Sequence, residues 1–409
     1  MISAAPSSTV HLDRAAFTLL SSMPLVMVIA NRSAAAIIIL AALCALAARL
    51  VERRHGVPHR VKVEWHNPFL RAWGLSAAAF VVWCLLSIGW SHVPARSFFV
   101  FGEATAPFAA GLILLATMPR SIPAWFIRVA ACLFALACLL MIVELETGLA
   151  LRQQLDLRAQ SFIFNRPVMT LLLVFWPLAI QLKRVGLKWW AIALGALLIV
   201  TIERATSGAA MLGLLLAVPA FVVASLNRRI GLALAGLALA TCLAMAPFKG
   251  VLLQWAMPDK LIERLESVHA ADRLAIWQDF AAIVQLRPLT GAGFGTSAKM
   301  AEAPFAKDVP PERGSLLAVG HPHDGFLQIW SELGLAGALL AAVNGVFLLR
   351  ALARLPADMA PAGIAVTIAA AAMVSVFHSA WQGWWVGLLM ALPLWCAFKP
   401  DITGTRAAP

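Results

Sequence analysis

TSGAAMLGLLLAVPAFVVASLNRRIGLALAGLALATCLAMAPF, residues 206–248, decides the fold class. Two apolar runs, 206–226 and 230–248, are divided by a short polar joint that holds Arg228 and Arg229. An apolar run near 20 residues matches a helix that crosses a hydrocarbon core of roughly 30 Å. Lipid offers no hydrogen bonds, so such a run must satisfy its own backbone, as a helix does.

The rest of the chain repeats this pattern. Of its 409 residues, 61% are hydrophobic and 13% charged, and its mean hydropathy is +0.84. That composition excludes an ordinary soluble domain and predicts an all-α polytopic membrane protein with about 12 transmembrane helices. The expected spans are 15–30, 33–50, 69–90, 98–117, 124–144, 167–182, 188–203, 206–226, 230–248, 325–349, 360–378 and 384–398. The first lacks the basic leading segment of a cleavable signal peptide, and with the second it could form one re-entrant unit. All six cysteines lie in apolar runs, so neither a disulfide framework nor a zinc motif is read. The net charge of +12 would suit nucleic acid in a soluble protein. In a membrane chain its placement matters more, and no nucleic-acid partner is expected.

Lysine and arginine set the orientation. Arg53, Arg54, Arg60, Lys62, Arg120, Lys183, Arg184, Lys188, Arg228, Arg229, Arg350, Arg354, Lys399 and Arg406 fall on one side if the N-terminus is cytoplasmic. The other side then receives residues 145–166 and the long stretch 249–322, in which basic and acidic residues are equal in number. The chain therefore divides into spans over 1–248, an outer helical loop subdomain over 249–322, and spans with a cytoplasmic tail over 323–409. Any chemistry of the long loop lies where no nucleotide donor is expected.

Three outer arginines stand out. DRLAIWQDFAAIV, 272–284, has helical spacing at Leu274, Trp277, Phe280 or Ala281, and Val284, with Asp272 as cap and Arg273 at the start. Its apolar stripe fits a helix lying on the bundle or the interface. Arg273 either snorkels or contacts a phosphate. Arg204 ends one span beside Glu203, a ready partner, and Arg166 begins another. Together the three would clamp a pyrophosphate, because guanidinium holds phosphate oxygens bidentately. PLTGAGFGTS, 288–297, has the wrong spacing and context for a nucleotide loop and reads as a tight turn for close backbone approach.

GHPHDGFLQIWSEL, 320–333, opens the tenth span. Pro322 and Asp324 suit the first helical turn, and Asp324, Gln328 and Glu332 form one polar stripe. Such a stripe either bonds neighbouring helices or marks a functional site. His323, at its mouth, can accept a proton near neutral pH, and His321 is the weaker candidate for the same role. HSAWQGWWVG, 378–387, adds His378, Trp381, Gln382, Trp384 and Trp385. These tryptophans read first as bilayer anchors and second, with Gln382, as glycan contacts.

Outer arginines and a histidine base, with no metal motif and no cofactor, suit transfer from a lipid pyrophosphate. The departing pyrophosphate would bind arginine while histidine deprotonates a sugar hydroxyl, with inversion at the anomeric carbon. DRLAIW, PLTGAGFGT and HPHDGFLQIWSELGLAG, in that order, resemble the O-antigen ligase family. Its wider superfamily includes O-antigen polymerases and protein O-oligosaccharyltransferases. The family's histidine–ten residues–glycine pattern fits His323 to Gly334, and its arginine ahead of a span fits Arg204, although Gly208 stands where leucine is common. Asp324 replaces the usual asparagine after the histidine. The resemblance implies a GT-C-like glycosyltransferase fold in the bacterial inner membrane with its site facing the periplasm. It also implies a donor, undecaprenyl-pyrophosphate-linked O-antigen, and an acceptor, the lipid A–core. Polymerase and protein-glycosylating activities stay open, as does a transporter or lipid flippase lined by the same polar groups.

Overall fold

The computed structural model describes residues 7–55, 68–258, 270–377 and 379–401. Each expected span falls on a helix: α1 (Ser7–Ile29), α2 (Ala34–Arg54), α3 (Pro68–Ser87), α4 (Pro94–Thr117) and α5 (Ala124–Glu146). A short α6 (Ala150–Gln154) precedes α7 (Asn165–Arg184), α8 (Lys188–Arg204), α9 (Gly208–Leu226) and α10 (Arg228–Met245). Then come α11 (Lys249–Ala256), α12 (Ala270–Leu286), α13 (Gly325–Leu352), α14 (Ala360–Val374) and α15 (Gly383–Ala397).

Among the described residues, 9 helices are long and apolar enough to cross a membrane, so the chain is an all-α, multi-pass membrane protein. The 15-residue α14 and α15 rise only about 22 Å each, short of a full crossing. Large apolar side chains such as Leu215, Leu226, Leu237 and Trp189 point outward, as expected where hydrocarbon replaces water. The centre of the bundle is α7, whose residues from Pro167 to Leu182 are almost all buried.

The end that carries the basic loops is tied by arginine. Arg184 donates to Asp358 at 2.7 and 2.8 Å and to the Phe398 carbonyl at 3.1 Å. Arg228 donates to the Leu352 and Leu355 carbonyls at 2.9 and 3.0 Å. A two-strand parallel pairing of β1 (Ser121–Pro123) with β2 (Lys399–Asp401) closes the same end.

The long α13 breaks at Gly334, where φ is 64° and ψ −163°. The 288–293 segment enters the break and bonds the freed backbone. Leu335 N donates to Pro288 O at 2.8 Å, Ala292 N to Ser331 O at 2.9 Å, and Gly293 N to Glu332 O at 2.8 Å. Irregular backbone inside a membrane domain needs such partners. A Cβ at Gly291 would lie 2.3 Å from the Glu332 backbone, and one at Gly334 2.4 Å from Leu289. The glycine-rich stretch therefore makes the close approach its sequence predicts, onto the broken helix.

Two expectations change here. Helix α12 already runs at Ala270, so Asp272 lies in its first turn rather than at its cap. Nor does α12 lie on a surface: Leu274, Ile276, Trp277, Asp279, Phe280, Ile283 and Val284 are all buried. It is enclosed by α11, α13 and the 304–319 segment, to which Asp279 is joined by accepting from Leu316 N at 2.8 Å. Burial on several sides removes the narrow stripe that an interfacial helix would show.

Candidate active site

Helix α13 begins at Gly325, where the tenth span was expected to start, so Pro322 and Asp324 precede its first turn instead of lying in it. Asp324 is its N-cap, accepting from the backbone N–H of Phe326 at 2.8 Å and of Leu327 at 3.1 Å. The chain reaches this cap through His323 in the left-handed region, at φ 50°, which few non-glycine residues occupy. That turn aims the His323 ring so that Nδ1 lies 2.8 Å from the Phe377 carbonyl. A carbonyl only accepts, so Nδ1 carries the proton in this contact and Nε2 keeps its lone pair. The His321 ring stands 4.1 Å away, centroid to centroid, and its Nδ1 accepts the His323 N–H at 3.2 Å. Burial lowers the His323 pKa from its ordinary value and the charge on Arg273 lowers it further, while the Phe377 carbonyl opposes both. The ring is held neutral, with a free basic nitrogen.

The cations around this ring come from separate segments. Arg273, on α12, is half-buried and close enough for its charge to act on His323 and Lys249. Arg166, at the start of α7, lies over the Trp384 ring at 5.7 Å. It lines a cavity of about 600 Å³ with Asn31, Arg32, Arg152, Arg158 and Phe377. A second, polar cavity of about 190 Å³ is lined by Arg32, Glu103, His321, Gln382 and Trp384, so Arg32 borders both. Arg204 sits elsewhere, pairing with Glu146 at 3.1 Å with both side chains half exposed. Its partner is Glu146 rather than the neighbouring Glu203, because α5 packs beside α8 and ends next to it.

The lower part of the polar stripe forms a closed network. Glu332 accepts from Gly295 N at 2.6 Å, Ser297 N at 3.1 Å, Trp381 Nε1 at 2.7 Å and Gln328 Nε2 at 2.9 Å. Gln328 Oε1 accepts from Ala380 N at 2.8 Å. This carboxylate fastens the glycine-rich segment and the start of α15 to α13. Trp381, Trp384 and Trp385 are 8%, 2% and 3% exposed, so they pack the interior instead of anchoring to lipid. Trp384 Nε1 donates to Gln382 Oε1 at 2.6 Å. His378 lies outside the described residues.

The structure thus gathers His323, His321, Asp324, Arg273 and, across Phe377, Arg166, and leaves Arg204 apart. It adds residues that sequence reasoning passed over: Lys249, Arg32, Arg158 and Glu103. The arginines had a signal, since Arg32 and Arg158 break the charge rule that puts basic residues in the loops of the opposite end. Lys249 had little, because its partners are far along the chain.

A fold of many membrane helices with a histidine–arginine cluster at one end defines the class of protein. Comparison with known proteins carries this further. Residues 191–342 match the family model described as O-antigen ligase, a stretch running from α8 through the broken α13. The chain is also 24% identical over 330 residues to proteins provisionally named polysaccharide ligases from Rickettsia felis and Rickettsia prowazekii. Each match covers 79% of this chain and 80% of the relative. The resemblance to the O-antigen ligase family, read from its motifs, is borne out.

Proposed function

We propose that this protein is a glycosyltransferase of the O-antigen ligase type, working on the periplasmic side of the inner membrane. It moves O-antigen polysaccharide from undecaprenyl pyrophosphate to the lipid A–core. His323 Nε2 takes the proton of the acceptor hydroxyl, whose oxygen attacks the anomeric carbon from the face opposite the leaving group. The bond from that carbon to the pyrophosphate oxygen breaks, the configuration inverts, and undecaprenyl pyrophosphate departs with the negative charge. Arg166, which lines a cavity with Phe377, and Arg273, whose charge reaches His323, stabilise that charge. Arg32 and Arg158 add to the field of the basin Arg166 borders. Arg204, held by Glu146 and lining neither cavity, is left out of the clamp. Charge stabilisation is assigned to these arginines, with no metal ion or cofactor.

The observation that carries this reading is the His323 ring, held at Nδ1 by the Phe377 carbonyl beside a cavity bordered by arginine. The test is transfer by the purified protein from lipid-linked O-antigen to lipid A–core, in EDTA and without nucleotide. Ligated lipopolysaccharide is the expected product. Chain growth on a second lipid-linked glycan, with none on the core, would make the protein a polymerase. Activity lost in EDTA and restored by a divalent ion would overturn the metal-free mechanism.

A further inference from the structure

Lys249 is the first residue of α11, 75 positions before Asp324 in the chain. Its ammonium donates to the Asp324 carboxylate and to the Ser375 carbonyl, the latter at 2.6 Å. It also lies 3.7 Å from the centroid of the Trp277 ring. All the faces of one ammonium are therefore occupied, by two hydrogen-bond acceptors and an aromatic face.

These contacts bear on His323 from two directions. Asp324 follows His323 directly and caps α13, so fixing Asp324 fixes the left-handed turn that aims the ring. Ser375 is the C-cap of α14, two residues before Phe377, whose carbonyl holds Nδ1. Backbone and ring of His323 thus hang on two strands of chain, and one ammonium joins those strands. The Asp324 side chain is 1% exposed, and an unpaired buried carboxylate is costly. Without Lys249 the cap must therefore shift or take up a proton.

We propose that Lys249 is the positioning residue of the site, holding His323 in its reactive orientation through Asp324 and Ser375 without touching substrate. The inference rests on the proposed role of His323 as base. It also accounts for the aspartate at 324, where the related family usually has asparagine: the carboxylate is the partner that the lysine needs.

The experiment compares wild type, Lys249→Met, Lys249→Arg, Asp324→Asn and the double variant Lys249→Met/Asp324→Asn, each as the full chain in lipid nanodiscs. One readout is the rate at which diethyl pyrocarbonate modifies His323, resolved by mass spectrometry with His92 as internal control. The other is kcat and KM for transfer. Methionine keeps the stem over Trp277 and removes the donors. Lys249→Met should speed His323 modification several-fold with His92 unchanged, and should lower kcat by about 10²-fold at nearly constant KM, the loss expected of a misplaced catalytic group. Lys249→Arg should restore most of both. The double variant should recover above Lys249→Met alone, because asparagine still caps α13 and leaves no buried charge. If the methionine variant does not fold, Asp324→Asn carries the test, since it breaks the same tie and should move His323 modification in the same direction.

Unchanged modification and unchanged kcat in a folded Lys249→Met would overturn the proposal. So would a rise in KM alone, which would make Lys249 a substrate contact. A wild type without transferase activity would sink the functional reading, while the modification rates would still decide whether Lys249 positions His323.

Discussion

At the basic-loop end of the bundle, Arg184 and Arg228 donate to helix-terminal carbonyls and to Asp358, and Arg120 donates to the Leu115 carbonyl at 3.1 Å. At the opposite end Arg32, Arg166 and Arg273 form no ion pair with a carboxylate among the described residues, and Arg166 rests on an indole face instead. Burial lowers the pKa of Arg273, as it does that of Arg120 at the other end. The first group completes the fold, since orphan carbonyls at helix ends need donors. In the second, Arg32 and Arg166 border cavities and the charge of Arg273 acts on His323, and in the proposed function it is these that meet the negative charge of the donor. Internal partners, more than number, distinguish these two groups of arginines.

The comparison breaks soonest at His323. His323→Ala should cost about 10³-fold in kcat, within the range for a lost general base, in a protein of unchanged thermal stability. Transfer at the wild-type rate would remove the base from the scheme. Arg166→Ala comes next, with about 10²-fold lower kcat/KM, the scale of losing one pre-positioned charge donor. If Arg166→Ala instead lowers the melting temperature and spares turnover, Arg166 belongs with the structural arginines. The pH profile is gentler. Because the His323 pKa is lowered, kcat should rise with pH through a midpoint below about 6.5 and be flat at neutrality. A midpoint above that value would mean a ring that is charged at rest and a different base.

Much of this was legible in the sequence, for identifiable reasons. Apolar length alone located the helices, because lipid leaves the backbone no other solution. GxGxG predicted a close approach at Gly291, and HPHD predicted a polar helix mouth. Neither could name the partner, since the break at Gly334 and the 288–293 segment that fills it lie far apart in the chain. Tryptophan placement misled for the same reason. A Trp-rich stretch at a span end looks like an interfacial belt, but contact with Glu332, α3 and α4 buries Trp381, and the main core of the bundle takes in Trp384. Arg204, Arg166 and Arg273 read as equivalents because each sits at a helix end. Only the tertiary structure shows that Arg204 meets Glu146 while the other two approach Phe377 and His323. Lys249 was invisible as a site residue, because nothing local in FKG marks a lysine that will meet Asp324.

The remaining predictions test the basic end, where effects on folding should appear without effects on chemistry. Arg184→Ala removes donors to Asp358 and to Phe398 at once and should cost about 1–3 kcal/mol, read as a lower melting temperature in detergent with kcat preserved. Asp358→Asn should do less. Its side chain is 47% exposed, so solvent screens the pair and about 0.5 kcal/mol is the scale to expect. The sign with pH follows from the hydrogen bond and charge of Arg184, which hold the Asp358 carboxyl below its ordinary value. A carboxylate with a depressed folded-state pKa adds stability above its unfolded value, near pH 4, and loses it as pH falls through the lower folded value. Wild type and Asp358→Asn should therefore differ most at neutral pH and converge in acid. A gap that widened in acid would mean that Arg184 and Asp358 are not a working pair. The basic end would then be held by carbonyl contacts alone.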